Sequence, residues 1–229
     1  MQVLIDNHSY YHSSDPSALI IFLCGDEEAE LLNTIKSSVE HDCSVSLSWL
    51  AYHVDDWNRD LSPWPAEPVF GKEAFAGLAK VALIKLKKTI TDITKEYKVT
   101  ADVPIILGGY SLAGLFSLWA SYQTDIFNGI CAVSPSVWFP GWIEYTSSHI
   151  IHTDYVYLSL GDKESKTRNP IMSKVYDCIR DEYENIISSG QVKESIFELN
   201  PGNHFQDVDI RISKALIWTV NKCINRQVY

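Results

Sequence analysis

From residue 17 onward, short apolar runs alternate with longer amphipathic runs, the pattern of buried strands separated by helices. The strand candidates are 18–24 (ALIIFLC), 43–51 (CSVSLSWLA), 103–107 (VPIIL), 129–133 (GICAV), 155–160 (YVYLSL) and 195–199 (SIFEL). Most are apolar on both faces, as strands must be when helices cover both sides of a parallel sheet. Helix candidates lie at about 27–39, 71–97, 112–122, 168–188 and 207–225. In the longest, Phe75, Leu78, Val81, Ala82, Ile84 and Leu86 fall largely on one face, while Lys80, Lys85, Lys87 and Lys88 reach solvent. Right-handed crossovers then put helices on both faces of one mostly parallel sheet of about six strands. The first sixteen residues are ambiguous and read as one short edge strand.

One segment breaks the alternation. Residues 53–72 (HVDDWNRDLSPWPAEPVFGK) hold three prolines and two tryptophans, and a long irregular loop of this kind is more often functional than idle. No linker, composition break or internal repeat divides the chain, so 1–229 reads as a single α/β domain.

Composition narrows the classes. Nineteen basic against twenty-nine acidic residues give a formal charge of −10, which disfavours neutralising a phosphate backbone, so nucleic acid is not expected as a partner. The start, MQVLIDNHSYYHSS, lacks the basic and apolar regions of a signal peptide, and no apolar run reaches the roughly 18 residues of a membrane span. A cytoplasmic protein with no membrane partner is the simplest expectation. Cys24, Cys43, Cys131, Cys178 and Cys223 are odd in number, widely spaced and mostly in apolar stretches, which predicts free buried thiols and neither disulfides nor zinc. His8 and His12 have a four-residue spacing, but their segment is poor helix sequence and offers no third metal ligand.

Candidate chemistry centres on residues 105–114, IILGGYSLAG, which run from a buried strand into a helix through a serine flanked by small residues. A nucleophile elbow needs small residues two before and two after the serine, so that strand and helix approach closely. Gly109 and Ala113 meet that demand around Ser111. The backbone N–H of Leu112 then opens a helix, ready to stabilise an oxyanion. An inert tight turn would show the same small residues. So would a dinucleotide fingerprint spanning Gly109 to Gly114, but that motif belongs on a first strand, and its middle glycine is replaced here.

An activated serine needs a histidine within hydrogen-bond reach, and in a nucleophile-elbow fold that histidine lies after the last strand, so the chain order is serine, acid, histidine. His204, in the turn-rich loop NPGNHF, is placed where that mechanism needs it; an idle surface histidine is the plainer alternative. After YVYLSL the chain reads Gly161-Asp162-Lys163-Glu164, and both acids qualify. We prefer Glu164, because three residues past the glycine the loop has turned enough to reach the histidine; Asp162 is the competitor. The second oxyanion donor is expected after strand 18–24, at the backbone N–H of Asp26, where Gly25 keeps the approach clear.

Taken together, these pieces resemble the esterase family of α/β-hydrolases that holds esterase D-like enzymes and siderophore trilactone esterases. The matching segments are CGD at 24–26, GGYSLAGLF at 108–116, SPSVW at 134–138, GDKE at 161–164 and GNH at 202–204. The resemblance implies an α/β-hydrolase fold in a minimal version without a large cap domain. It implies hydrolysis of a small-molecule ester through an acyl-enzyme, with water as acceptor and no cofactor or metal. It also implies that the segment ending in Trp138 walls the active site. Against the family pattern, Ala113 replaces a glycine, and the amino end is short by one or two strands, which suggests an open cleft or a homo-oligomer covering the missing edge. The loop carrying Trp57 and Trp64 is unlike that of a generic esterase and could wall a substrate pocket. The same residues would serve an acyltransferase, a peptidase or a thioesterase, and a hydrolase fold can also serve as a non-catalytic binding protein.

Overall fold

The computed structural model describes residues 1–224, and within them the mostly parallel sheet flanked by helices is present, with eight strands instead of six. Four strands form its left half: β1 (Gln2–Ile5), β2 (His8–Tyr11), β3 (Ala18–Cys24) and β4 (Leu47–His53). Four more form the right half: β7 (Ile105–Tyr110), β8 (Gly129–Val133), β9 (Tyr155–Gly161) and β10 (Glu194–Asn200). Their order is β1-β2-β4-β3-β7-β8-β9-β10. β2 runs antiparallel to β4, with Tyr10 opposite Leu50, and β1 runs antiparallel to β2; the remaining neighbours are parallel.

The amino end is thus a two-stranded hairpin. It supplies the strands that the sequence seemed to lack. QVLI and HSYY are too short for their period-2 alternation to stand out as strands.

The central strands show why their sequences are so apolar. In β3, Leu19, Ile21 and Leu23 point to one face of the sheet, where they meet α3 (Ala79–Glu96), α4 (Leu112–Ser121) and α6 (Val175–Ser188). The alternate residues Ala18, Ile20, Phe22 and Cys24 point to the other, against α1 (Asp26–Cys43) and α7 (Val208–Ile224). Period-2 alternation divides one strand between two cores, so every position is buried. The expected end of the last helix at residue 225 lies outside the described residues.

Three boundaries differ from expectation. Residues 43–46 are not strand, because α1 continues to Cys43 and Ser44 closes it in the left-handed conformation. The expected helix over 168–188 begins only at Val175, after a 3-10 turn over Met172–Lys174. The helix expected from 71 begins at Ala79, because Phe75–Ala76 forms a short strand, β6, that pairs with β5 (Pro65–Ala66). The buried face also differs from the expected one. The buried stripe is Ala79, Leu83, Leu86, Ile90 and Ile93, whereas Val81 and Ile84 face solvent.

The tryptophan-rich segment is partly regular. It holds α2 (Trp57–Asp60), whose first turn is capped by Asp56 Oδ1 accepting from the Arg59 N–H at 3.0 Å, and β5. A short α5 (Trp142–Thr146) completes the helices among the described residues. Cys24, Cys43, Cys131 and Cys178 are free thiols, and no described helix is long and apolar enough to cross a membrane.

Candidate active site

β7 passes into α4 through Ser111, whose φ of 57° and ψ of −119° are costly for a residue with a side chain. Three backbone hydrogen bonds hold it there. The Ser111 N–H donates to Val133 O at 3.0 Å, and its carbonyl accepts from Ser136 N–H at 3.0 Å and Leu115 N–H at 3.1 Å. The turn is possible because Gly109 has no side chain. A Cβ there would lie 2.5 Å from the carbonyl of Ala113 and 2.7 Å from its methyl. The alanine at 113 is accommodated for the same reason.

Ser111 thereby projects beyond the carboxyl edge of the sheet, where the loops after β9 and β10 meet it. His204 Nε2 lies 3.1 Å from Ser111 Oγ, and His204 Nδ1 lies 2.7 Å from Glu164 Oε2. With Nδ1–H donating to the carboxylate, Nε2 is left as the acceptor for the serine hydroxyl. The loops are pinned to one another by Asp162, whose Oδ1 accepts from Gly202 N–H at 2.8 Å, and by Lys163 N–H donating to Gly202 O at 3.0 Å. Glu164 therefore faces the imidazole, and Asp162 ties down the loop that carries it.

Glu164 is nearly buried, its side chain 4% exposed, and its other oxygen is fully engaged. Oε1 accepts from Gly161 N–H at 2.7 Å, from Arg211 Nη2 at 2.9 Å and from Ser134 Oγ. Burial alone would raise this carboxyl. The hydrogen bond and charge of His204, the Ser134 hydroxyl and the Gly161 N–H together outweigh burial and hold it at about 2, so it is a carboxylate at neutral pH.

Arg211 and Tyr110 complete the support. Arg211 Nη1 donates to Tyr110 Oη at 3.1 Å and to Asn203 O at 3.3 Å, and Tyr110 Oη donates to His204 O at 2.6 Å. Burial pushes the Tyr110 phenol up to about 12, with the Arg211 charge opposing, so it stays a neutral donor. Neither residue stood out in the sequence. The available signal was spacing: Arg211 falls on the same face of α7 as Ala215 and Thr219, at i and i+4, a buried position for a charged residue.

Leu112 and Asp26 are the first residues of α4 and α1, so neither N–H has an acceptor within its own helix. Asp26 and Gly25 line a cavity of about 490 Å³ together with Ser111 and His204. Gly25 is required by its neighbour, since a Cβ there would lie 2.8 Å from Trp57 Nε1. A second cavity of about 330 Å³ opens on the other side of Ser111 and is walled by Phe70, Trp138, Met172, Val175 and Phe205. Trp57 lines the first cavity and Trp138 the second. Trp64 lines neither. It packs among Phe139, Trp142 and Tyr145, its Nε1–H donating to Pro140 O at 2.8 Å, because the irregular loop folds back over that aromatic cluster. Among the described residues no three His, Cys, Asp or Glu side chains are grouped to hold a metal ion.

No family model and no curated protein matches this sequence. Solved structures do match. The siderophore hydrolase EstA from Aspergillus nidulans is 17% identical with a TM-score of 0.72, over 97% of this chain and 93% of that one. An IroE-like serine hydrolase from Shewanella oneidensis is 14% identical with a TM-score of 0.76, over 97% of this chain and 76% of that one. Est1E from Butyrivibrio proteoclasticus is 14% identical with a TM-score of 0.61, over 98% of each chain. At such identities the likeness is one of architecture, and with the strand order and the strained serine turn it identifies the fold of this chain as that of the α/β-hydrolases.

Proposed function

We propose that this protein is a serine hydrolase that cleaves a carboxylic ester through an acyl-enzyme on Ser111. The observation that carries the reading is the hydrogen-bonded series Ser111 Oγ, His204, Glu164, with the serine on a strained strand-to-helix turn. Ser111 Oγ attacks the ester carbonyl as His204 Nε2 takes its proton. Glu164 holds the imidazole in the required tautomer and stabilises the imidazolium. The tetrahedral oxyanion is met by the N–H groups of Leu112 and Asp26. Collapse breaks the C–O bond, His204 protonates the departing alcohol, and a water molecule then repeats the sequence to release the acid and free the serine.

Two further observations support this reading. The similar structures include an IroE-like serine hydrolase, a siderophore hydrolase and a ferulic acid esterase. The arrangement needs no cofactor, and Trp57 and Trp138 are positioned to touch a small-molecule substrate from the two cavities. Free, mostly buried thiols are consistent with a reducing compartment such as the cytoplasm.

The test is labelling by a fluorophosphonate probe, with the adduct located by mass spectrometry. Labelling at Ser111 that disappears in Ser111→Ala and collapses in His204→Ala establishes the activated serine. A folded wild type that does not label removes the hydrolase reading and leaves a binding protein on this fold. Product analysis with a competing alcohol separates hydrolysis from acyl transfer.

A further inference from the structure

The two cavities that meet at Ser111 differ in chemistry. The larger one mixes polar and apolar wall, with Asp26 and Glu28 at the start of α1 facing the carbon of Leu31, Trp57 and Val208. The smaller one offers carbon walls, and its polar groups are those of Ser111, His204 and Glu164. Water in the smaller cavity would find few partners away from the reacting atoms, whereas the larger one has polar groups to hold it.

These walls are built and braced. Phe70 meets Trp138 edge to face with ring centroids 5.9 Å apart, and Phe75 meets both Phe70 at 6.1 Å and Phe139 at 5.0 Å. Phe139 in turn packs on Trp64 at 5.7 Å, so the irregular tryptophan loop supports the wall from behind. Asn169 Nδ2 donates to Val69 O at 2.5 Å, tying the loop that carries Phe70 to the segment that carries Met172. Phe205 is the most exposed of the wall residues, more so than Phe70. It is 86% exposed, follows His204 directly, and lines both cavities, so it forms the ridge between them.

We infer that the smaller cavity, bounded by Phe70, Trp138, Met172, Val175 and Phe205, is the acyl subsite and takes an uncharged, apolar acyl group. The inference rests on the hydrolase reading and adds the class of substrate. In an acyl-enzyme mechanism the acyl group stays on Ser111 while the alcohol leaves and water takes its place. The apolar cavity suits the group that stays. The larger cavity, the more polar of the two, suits the group that departs and the water that follows. The face of Phe205 that lines the smaller cavity gains burial when an acyl chain lies against it, so it favours longer chains over acetyl.

The experiment uses p-nitrophenyl acetate, butyrate and hexanoate with the full chain, alongside a second series of acetate esters in which only the alcohol lengthens. The kcat/KM is expected to rise by about fourfold per acyl methylene until the cavity is filled, and to change little with alcohol length. Phe205→Ala, at a surface position that folding does not depend on, should lower the hexanoate-to-acetate ratio of kcat/KM several-fold. A flat or falling acyl series with measurable acetate turnover overturns the subsite and leaves the hydrolase reading intact. A rising alcohol series beside a flat acyl one overturns it by giving the cavity to the alcohol. Absence of both turnover and fluorophosphonate labelling removes the hydrolase reading and the subsite with it.

Discussion

The Arg211 guanidinium lies 2.9 Å from Glu164 Oε1, the oxygen opposite the one that faces His204, and both side chains are almost entirely buried. The carboxylate is thus held from both ends, by α7 and by the histidine loop. A buried ion pair gains little net stability from its own attraction, but removing one member leaves an uncompensated charge. Arg211→Met should therefore destabilise the fold by about 3–5 kcal/mol, read as a shift in the urea midpoint. Wild-type stability in that variant would mean that Glu164 is supported well enough by Ser134 and Gly161.

The two carboxylates of the loop after β9 should separate by function. Glu164→Gln removes the acceptor that fixes the His204 tautomer and should lower kcat by about 10³–10⁴-fold with geometry retained. Asp162→Asn loses only an anchor on Gly202 N–H and should act mainly on stability. Steady-state kinetics on both variants, with a fold check by circular dichroism, decide the assignment. Equal losses would show that loop anchoring and not the carboxylate charge matters.

Glu164 also sets an acid dependence. Its folded value of about 2 lies below the ordinary 4.5, so the folded state favours the ionised form. The stability this contributes is present above pH 4.5 and is lost as pH falls through 2; at full size it is about 3 kcal/mol. Urea unfolding across that window should show this component in wild type and lack it in Glu164→Gln. Parallel curves would contradict it.

Glu182 predicts the opposite slope. It lies on α6, fully buried, accepting from Tyr122 Oη at 3.1 Å, and burial pushes its carboxyl up to about 7. The folded state favours the protonated form, so this contribution is complete below pH 4.5 and declines as pH rises through 7, by up to about 3 kcal/mol. Glu182→Gln should gain stability relative to wild type at pH 8 and not at pH 5. Thermal unfolding at the two pH values checks it, and an equal offset at both would count against a buried titrating carboxyl.

The elbow gives a steric prediction. Gly109→Ala places a methyl 2.5 Å from the Ala113 carbonyl, backbone that cannot step aside, and should cost about 3 kcal/mol, at the upper end of overpacking. Ala113→Gly removes a methyl from the same contact and should cost about 1 kcal/mol, the ordinary penalty of glycine in a helix. Comparable melting temperatures for the two variants would show that strand and helix can part at this turn.

The succession of central strands and helices along the chain was legible from pattern alone, because a strand covered on both faces must be apolar at every position, and runs such as ALIIFLC have few other uses. The sequence by itself also placed a serine after β7, two carboxylates after β9 and a histidine after β10, which a parallel sheet carries to one edge. It did not reveal the β1-β2 hairpin, whose short alternating strands are held by pairing with β4 more than by their own pattern. It could not reveal which apolar residues of α3 are buried, because Val81 and Ile84 lie off the side that packs on the core and only that contact selects the stripe. Only tertiary structure decided which acid faces the imidazole and which one pins the loop, since a two-residue difference along a turn reverses the direction of a carboxylate. Only tertiary structure turned Arg211 inward, separated Trp57 and Trp138 at the cavities from Trp64 in the packing behind them, and left Phe205 exposed beside His204. Each of those outcomes depends on which segments meet in space, and a lone side chain in a sequence carries no record of its distant neighbours.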